Sequence, residues 1–284
     1  MSFVTLNEIL KDAQKNRYAV GAFNTNNMEI VQAIIEAAVE EKAPVILQAS
    51  QGALKYAGID YIMGLVRAAE KTADIPIVMH LDHGTDFNQV MLCLRKGFTS
   101  VMIDGSKRQF EDNIAITKKV VEVAHPMGVT VEAELGKIGG TEDDVTVSER
   151  EATFTVPNEA KIFCEKTNVD ALAVAIGTAH GAYKGEPKLD FERLKQIRAL
   201  VDTPLVLHGA SGVPEEAVKR AIELGVCKVN IDTNIRQAFT KGVQEYIAEH
   251  PEVYDPRKIL APAKIAMKEI IREKIRLFGS NNRC

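Results

Sequence analysis

One kind of unit recurs along these 284 residues: a short apolar, β-branched run, then a loop, then a helical pattern. The runs are AVGAF (19–23), PVILQAS (44–50), IPIVMHLD (75–82), SVMIDG (100–105), VTVEAEL (129–135), ALAVAIG (171–177), PLVLHGA (204–210) and CKVNIDT (227–233). Continuous apolar runs of this length suit parallel strands covered on their outer face by helices. The intervening helices have legible ends. Thr5 and Glu8 match a capping box ahead of the first run. After Asn26 and Asn27, the residues Val31, Ile34, Ile35 and Ala38 make one helical face. Asp86 can cap a helix that runs to Lys96, with Gly97 placed to end it. Pro157 and Pro214 sit near two further helix starts, and a last helical pattern runs from about Pro256 to Phe278. Eight strand–helix units in a chain of this size argue for a single closed (β/α)8 TIM barrel spanning 1–284, with an extra N-terminal helix and a C-terminal helical extension. The competing arrangement is an open, doubly wound sheet. It is disfavoured because no G-x-G-x-x-G follows the first run and because the strand count fits closure. A barrel places its chemistry at the C-terminal ends of its strands.

The composition removes several classes of function. Net charge is -4, so no bulk field draws the chain to nucleic acid or membrane, and any anion site must be local. No apolar stretch approaches the roughly 20 residues a membrane helix needs, and the first residues lack the pattern of a signal peptide. The four cysteines (Cys93, Cys164, Cys227 and Cys284) are scattered without CxxC spacing, which predicts no disulfide framework and a cytoplasmic location.

The polar residues fall where a barrel would use them. The third strand ends in Asp82 and His83, the fourth in Asp104, the seventh in His208, and the eighth in Asn230 and Asp232. The fifth carries Glu132 and Glu134, and the sixth leads into a stretch with His180. Any one histidine is more often a hydrogen-bonded core or surface residue than a ligand. Three after three separate strands, however, match the donor set of a catalytic zinc site that keeps an open position. His80 lies deeper and reads as a packed residue or one that supports a ligand. His125 and His250 fall in helix-end and surface contexts. Strict alternation would turn Asp82 and His83 to opposite faces, a rule that relaxes at a strand tip. Asp104, Glu132 and Glu134 could hold a second cation, orient histidines or form internal ion pairs, and the chemistry does not rank these uses.

Two glycine-rich stretches, HGAYKG (180–185) and HGASG (208–212), offer unobstructed backbone N–H groups beside Lys184 and Ser211. Late barrel loops commonly bind phosphate in this way. Residues 136–156 are longer than packing requires. Gly139 and Gly140 could hinge a lid that carries Glu142, Asp143 and Asp144, or the segment could be a solvated acidic loop.

The motifs HLDHG, SVMIDGS, VEAELGKIGGTEDD, AIGTAHGAYKGEPKLDFERL, PLVLHGASG and KVNIDT, in this order, resemble the class II aldolases, the group of fructose-bisphosphate and tagatose-bisphosphate aldolases. The likeness extends from AVGAFN to YDPRK. It implies a zinc-dependent lyase of glycolysis and gluconeogenesis that reversibly cleaves fructose 1,6-bisphosphate to dihydroxyacetone phosphate and glyceraldehyde 3-phosphate through a metal-stabilised enediolate. By that resemblance His83, His180 and His208 bind Zn2+, Asp82 is the acid/base group and Glu142 is the mobile-loop carboxylate. Asp104 and Glu134 resemble ligands of a second cation position, with Glu132 beside it. Asn24 and Ser50 match positions near the substrate. Gly181, Lys184, Gly209 and Ser211 match the pocket for one phosphate, with Asn230, Asp232 and Thr233 completing its wall. Arg257 resembles the arginine that reaches the other phosphate from a neighbouring subunit, which implies a homodimer or homotetramer. The family also uses a monovalent cation, Na+ or K+, near the phosphate loops.

Fructose and tagatose bisphosphates differ at one hydroxyl-bearing carbon, and Asp232 looks more like the fructose group. A tagatose-preferring or dual enzyme is the alternative. A non-catalytic phosphosugar-binding barrel would predict loss of Asp82, a zinc histidine or Glu142, yet all are present. A barrel metallohydrolase would need neither a second phosphate pocket nor Arg257.

Overall fold

The apolar runs form eight parallel strands that close on themselves: β1 (Val20–Asn24), β2 (Val45–Ser50), β3 (Ile77–Gly84), β4 (Ser100–Ile103), β5 (Thr130–Leu135), β6 (Ala171–Val174), β7 (Leu205–Leu207) and β8 (Val226–Ile231). Each pairs with its sequence neighbours, and β8 returns to β1 through Val20↔Lys228 and Ala22↔Asn230. This computed structural model describes residues 3–284 other than 143, 144, 149–151, 182, 184 and 186, and only the backbone of Glu142, Val145 and Thr146.

The two-residue period of a strand sorts the side chains. One set, including Phe23, Leu47, Met79, Leu81, Val101, Val131, Leu172, Leu207 and Val229, packs outward against the helices. The other set fills the lower barrel: Val20, Ala22, Ile46, Val78, Ala171 and Val206 join Leu6, Ile9 and Leu10 of α1 (Leu6–Asn16), which plugs the bottom. Following the inward set upward, the same strands become polar: Asn24, Gln48 and Ser50, His80 and Asp82, Glu132 and Glu134, His208, Lys228 and Asn230. All of these are buried. The barrel is therefore an apolar plug beneath a polar chamber, and that chamber lies at the strands' C-terminal ends.

The helix ends follow the local chemistry. Glu8 accepts the Thr5 N–H at 2.7 Å, Asn27 accepts that of Ile30 at 3.0 Å, and Asp86 accepts those of Asn88 and Gln89. Gly97 ends the helix Phe87–Lys96 with φ of 91°, a left-handed turn that suits glycine. The last helix, Pro256–Phe278, lies against the helices Met28–Glu40 and Thr233–Glu249. Gly242 of the helix Thr233–Glu249 meets the Ala263 backbone, so a side chain there would push these two helices apart.

Two expectations are corrected. The seventh strand stops at Leu207 instead of reaching Ala210, and the sixth stops at Val174 instead of reaching Gly177. The groups beyond it are satisfied elsewhere: Thr155 donates its N–H to Ala175 O and accepts the Ala175 N–H on Oγ1, while the Asp190 N–H reaches Ile176 O. The segment 136–156 is not a plain loop. Gly139–Glu142 and Val145–Val147 form an antiparallel hairpin, and the first of these strands pairs with Ala179–His180.

Candidate active site

A bulge at the end of β3 brings Asp82 and His83 to the same chamber. Leu81 pairs with Val101 and Gly84 with Ile103, so Asp82 and His83 together oppose Met102 alone. His83 takes the strain, with φ of 48°, a region that non-glycine residues rarely occupy. Alternation is broken where the site needs two adjacent polar side chains on one face.

Three histidine rings converge. The centroids of His83 and His208 are 4.7 Å apart, those of His83 and His180 5.0 Å, and those of His180 and His208 5.9 Å. Their nearest donor atoms lie within 4.8 Å of one another, with His83 Nε2 and His208 Nδ1 2.9 Å apart. Two of the rings are anchored through the other nitrogen. His83 Nδ1 donates to Asp104 at 3.0 Å, and His208 Nε2 donates to Glu132 Oε1 at 2.9 Å. Burial pushes the His208 pKa down to about 4 against the opposing pull of Glu132, so the ring is neutral at physiological pH and keeps a lone pair on Nδ1. Burial, the largest single influence, pulls the Asp104 carboxyl upward, but the hydrogen bond and charge of His83 together with the hydrogen bonds from Ser106 outweigh it and hold the group below the ordinary range. Three imidazoles from separate elements, two of them braced by carboxylates, fit a zinc ion with an open position.

Asp82 is fully buried and gathers amide donors: Asn24 Nδ2 at 3.0 Å and Gln48 Nε2 at 3.1 Å on Oδ2, and Asn230 Nδ2 at 3.3 Å on Oδ1. Its Oδ1 is 4.0 Å from His83 Nε2. Asp104 and Glu134 share a second cluster with His83, whose donor atoms also lie within 4.8 Å of one another. Glu132 belongs elsewhere: it sits behind His208, paired with Lys228. His80 is buried between Ser100 Oγ, 2.8 Å from Nδ1, and Glu132, 3.7 Å from Nε2.

The glycine stretches open a cavity of about 460 Å³, walled by Asn24, His180, Gly181, Gly209, Ser211, Asn230, Asp232, Thr233 and Arg236. Gly209 has φ of 64°, and its α-carbon faces the Ala179 backbone too closely for a side chain. Tyr183 ties the two stretches together: its hydroxyl accepts the Ala179 N–H at 2.7 Å and donates to Gly209 O at 2.8 Å. Arg236 holds the Asp232 carboxylate at 2.7 Å. A second cavity, of about 290 Å³, lies on the other side of His83 and His180, lined by Ser50, Lys55, Asp104, Ser106, Lys107 and Glu134. Ser50 also caps the following helix by accepting the Ala53 N–H at 3.2 Å.

Of the other residues singled out in the sequence, Glu142 ends the hairpin's first strand, two residues beyond Gly140, which pairs with His180. Lys184, Asp143 and Asp144 lie outside the described residues. Arg257 is not brought to this chamber by its own chain: its side chain is 89% exposed and bound to Asp255 at 2.8 Å. Sequence reasoning missed Gln48, Lys228, Tyr183 and Arg236. For Gln48 and Lys228 a signal was present, since each lies two residues before a polar position already noted on the same strand face (Ser50 and Asn230).

Fold and site together define a barrel of the kind that carries enzymes, with three histidines that could hold a metal ion beside a glycine-walled cavity. The chain matches the family "Fructose-bisphosphate aldolase class-II" over residues 4–283. It is 50% identical, over 304 aligned positions covering 99% of both proteins, to the fructose-bisphosphate aldolase of Thermus caldophilus. It is 48% identical to that of Geobacillus stearothermophilus, over 100% of this chain and 99% of the relative. Among solved structures, the YdjI aldolase of Escherichia coli K12 superposes with a TM-score of 0.88 at 34% identity, covering 99% of each chain. The chain belongs to the class II fructose-bisphosphate aldolase family, whose members are zinc-dependent lyases.

Proposed function

We propose that this chain, one catalytic domain across residues 1–284, reversibly cleaves fructose 1,6-bisphosphate into dihydroxyacetone phosphate and glyceraldehyde 3-phosphate. The observation that carries the reading is the convergence of His83, His180 and His208 on one point, beside buried Asp82 and a glycine-walled cavity of about 460 Å³.

His83, His180 and His208 hold the metal. Bound zinc supplies Lewis-acid charge that makes an electron-rich carbon beside a carbonyl accessible. Asp82 takes the proton of the C4 hydroxyl as the C3–C4 bond breaks, and returns it in the condensation direction. The amides of Asn24, Gln48 and Asn230 hold its carboxylate in place for that transfer. Glu142 delivers a proton to the carbon that cleavage leaves electron-rich. The backbone N–H groups of the Gly181 and Gly209 stretches, with Ser211 and Thr233, bind one phosphate, and Lys184 adds charge beside them. Asn230 and Asp232 complete the wall. Ser50 lies toward the other phosphate, which Arg257 of a second copy reaches in a homodimer or homotetramer; its exposure on this chain supports that reading. Asp104 and Glu134 offer an alternative cation position with His83. A monovalent cation, Na+ or K+, sits by the phosphate loops. The enzyme works in the cytoplasm, in keeping with its free cysteines and with the absence, among the described residues, of a helix long and apolar enough to cross a membrane.

The test is coupled retro-aldol activity on fructose 1,6-bisphosphate and tagatose 1,6-bisphosphate in parallel, before and after chelation. The reading predicts preference for the fructose substrate and activity restored by added zinc. Preference for tagatose would overturn the substrate, and zinc-independent or absent cleavage of both would overturn the chemistry.

A further inference from the structure

The barrel interior contains a buried lysine that the chemistry above does not use. Lys228 is 0% exposed and belongs to the inward-facing set of β8, two residues below Asn230. Its Nζ lies 2.9 Å from Glu132 Oε2 and 3.2 Å from Oε1. Glu132 is also 0% exposed, and its Oε1 accepts from His208 Nε2 at 2.9 Å. The chain of contacts therefore runs ammonium, carboxylate, imidazole, and ends at His208 Nδ1, which faces His83 Nε2.

Stability does not explain the pair. Each buried ion carries a desolvation cost, and well-packed apolar residues of similar volume fill such a position as well or better. The lower barrel shows that apolar filling works in this molecule: Val20, Ile46, Val78 and Val206 close it without a charge. The ion pair begins at the level where the interior must present His208 in a fixed orientation. A carboxylate with only one partner can pivot about its terminal bond. Lys228 engages both Glu132 oxygens, and this sets the direction from which Oε1 meets the ring.

We propose that Lys228 is a positioning residue for the metal centre, locking Glu132 so that Glu132 locks His208 with Nδ1 aimed at the metal. The proposal rests on the reading of His83, His180 and His208 as metal donors. Two physical effects oppose each other here, and their sign separates them. As a nearby positive charge, Lys228 repels a divalent cation, so its removal would tighten binding. As an anchor of the carboxylate behind His208, its removal loosens binding. Losing such an outer partner weakens metal binding by about 10–100-fold, and positioning is the dominant effect in this geometry.

The experiment compares the zinc affinity of wild type, Lys228→Met and Lys228→Gln by competition with a chromophoric chelator, with the visible spectrum of the cobalt-substituted proteins and the melting of the zinc-free proteins measured alongside. The Gln variant removes the charge and ends one bond short of the Lys Nζ, so it no longer reaches both Glu132 oxygens, and it serves if the Met variant does not fold. The expected result is zinc binding weaker by about 10–100-fold in a variant that melts cooperatively, with altered cobalt bands. Zinc bound as tightly as by wild type, or more tightly, in a folded variant would overturn the proposal. His208→Ala is the control: if it loses zinc while Lys228→Met does not, only the role of Lys228 fails; if it retains zinc, the metal-site reading fails with it.

Discussion

Replacing Asp82 with Asn isolates the proton-transfer step from metal binding. The side chain keeps its shape, but one oxygen becomes an NH2 group. In the native site Oδ2 receives Asn24 and Gln48, and Oδ1 receives Asn230. With one acceptor oxygen lost, at least one of these buried amides faces another donor, a mismatch that costs about 1–3 kcal/mol of stability. A domain stable by about 5–15 kcal/mol survives that loss folded. The catalytic loss is larger. Removing a positioned acid/base group slows turnover by about 10²–10⁴-fold, which at about 1.4 kcal/mol per factor of ten is about 3–6 kcal/mol of barrier. Zinc affinity should hold, because the three histidines and the Asp104 and Glu132 contacts behind two of them are untouched. The assay is coupled cleavage of fructose 1,6-bisphosphate with zinc content and melting temperature measured on the same preparation. Turnover within about threefold of wild type, in a protein with full zinc, would refute the assignment of Asp82.

Three other outcomes follow from particular contacts. Gly140→Ala places a Cβ into the His180 carbonyl at φ of 99° and should lower kcat/KM by about 10–100-fold through misplacement of His180, whereas Gly139→Ala, whose Cβ would sit 3.5 Å from Ala152, should change it by less than about threefold; equal effects in steady-state kinetics would contradict the coupling of hairpin and site. Tyr183→Phe loses two hydrogen bonds that join the glycine stretches and should raise KM by about 5–30-fold with zinc affinity unchanged, as read by kinetics and chelator competition. On the barrel's outer face, the Arg276 and then Arg272 hydrogen bonds hold the Glu41 carboxyl below its ordinary 4.5. Because the folded pKa is depressed, this stabilisation is present above pH 4.5 and is lost as pH falls through the lower folded value. Glu41→Gln should therefore be less stable than wild type at neutral pH, with the gap closing in acid when urea denaturation is compared across that range.

Much of this is legible in the sequence itself. Continuous β-branched runs announce parallel strands, and the barrel then locates Asp82, His83 and His208 at strand ends, and His180 in the stretch that follows the sixth strand, without knowledge of distances. The bulge at Asp82 and His83 was not legible, because it depends on register with Val101 and Ile103 of β4, a pairing that one sequence does not display. The hairpin at 139–147 was hidden for a related reason: its residues are polar, and its partner, Ala179–His180, is remote in sequence. Lys228 and Gln48 were readable by parity with Asn230 and Ser50, yet each lies below the strand tip, the level at which a barrel places its chemistry. Tyr183 gave no signal. Its hydroxyl matters only because the fold sets Gly209 beside Ala179.

The central claim is that three histidines hold a metal on which cleavage depends. Titration of the chelated protein with zinc, reading bound metal and fructose 1,6-bisphosphate cleavage together, tests it most directly. The account predicts that activity rises in step with zinc, that its high-affinity phase saturates near one equivalent per chain, and that His83→Ala, His180→Ala and His208→Ala each abolish that phase. Cleavage by the zinc-free protein, or tight zinc binding that survives loss of all three histidines, would contradict it.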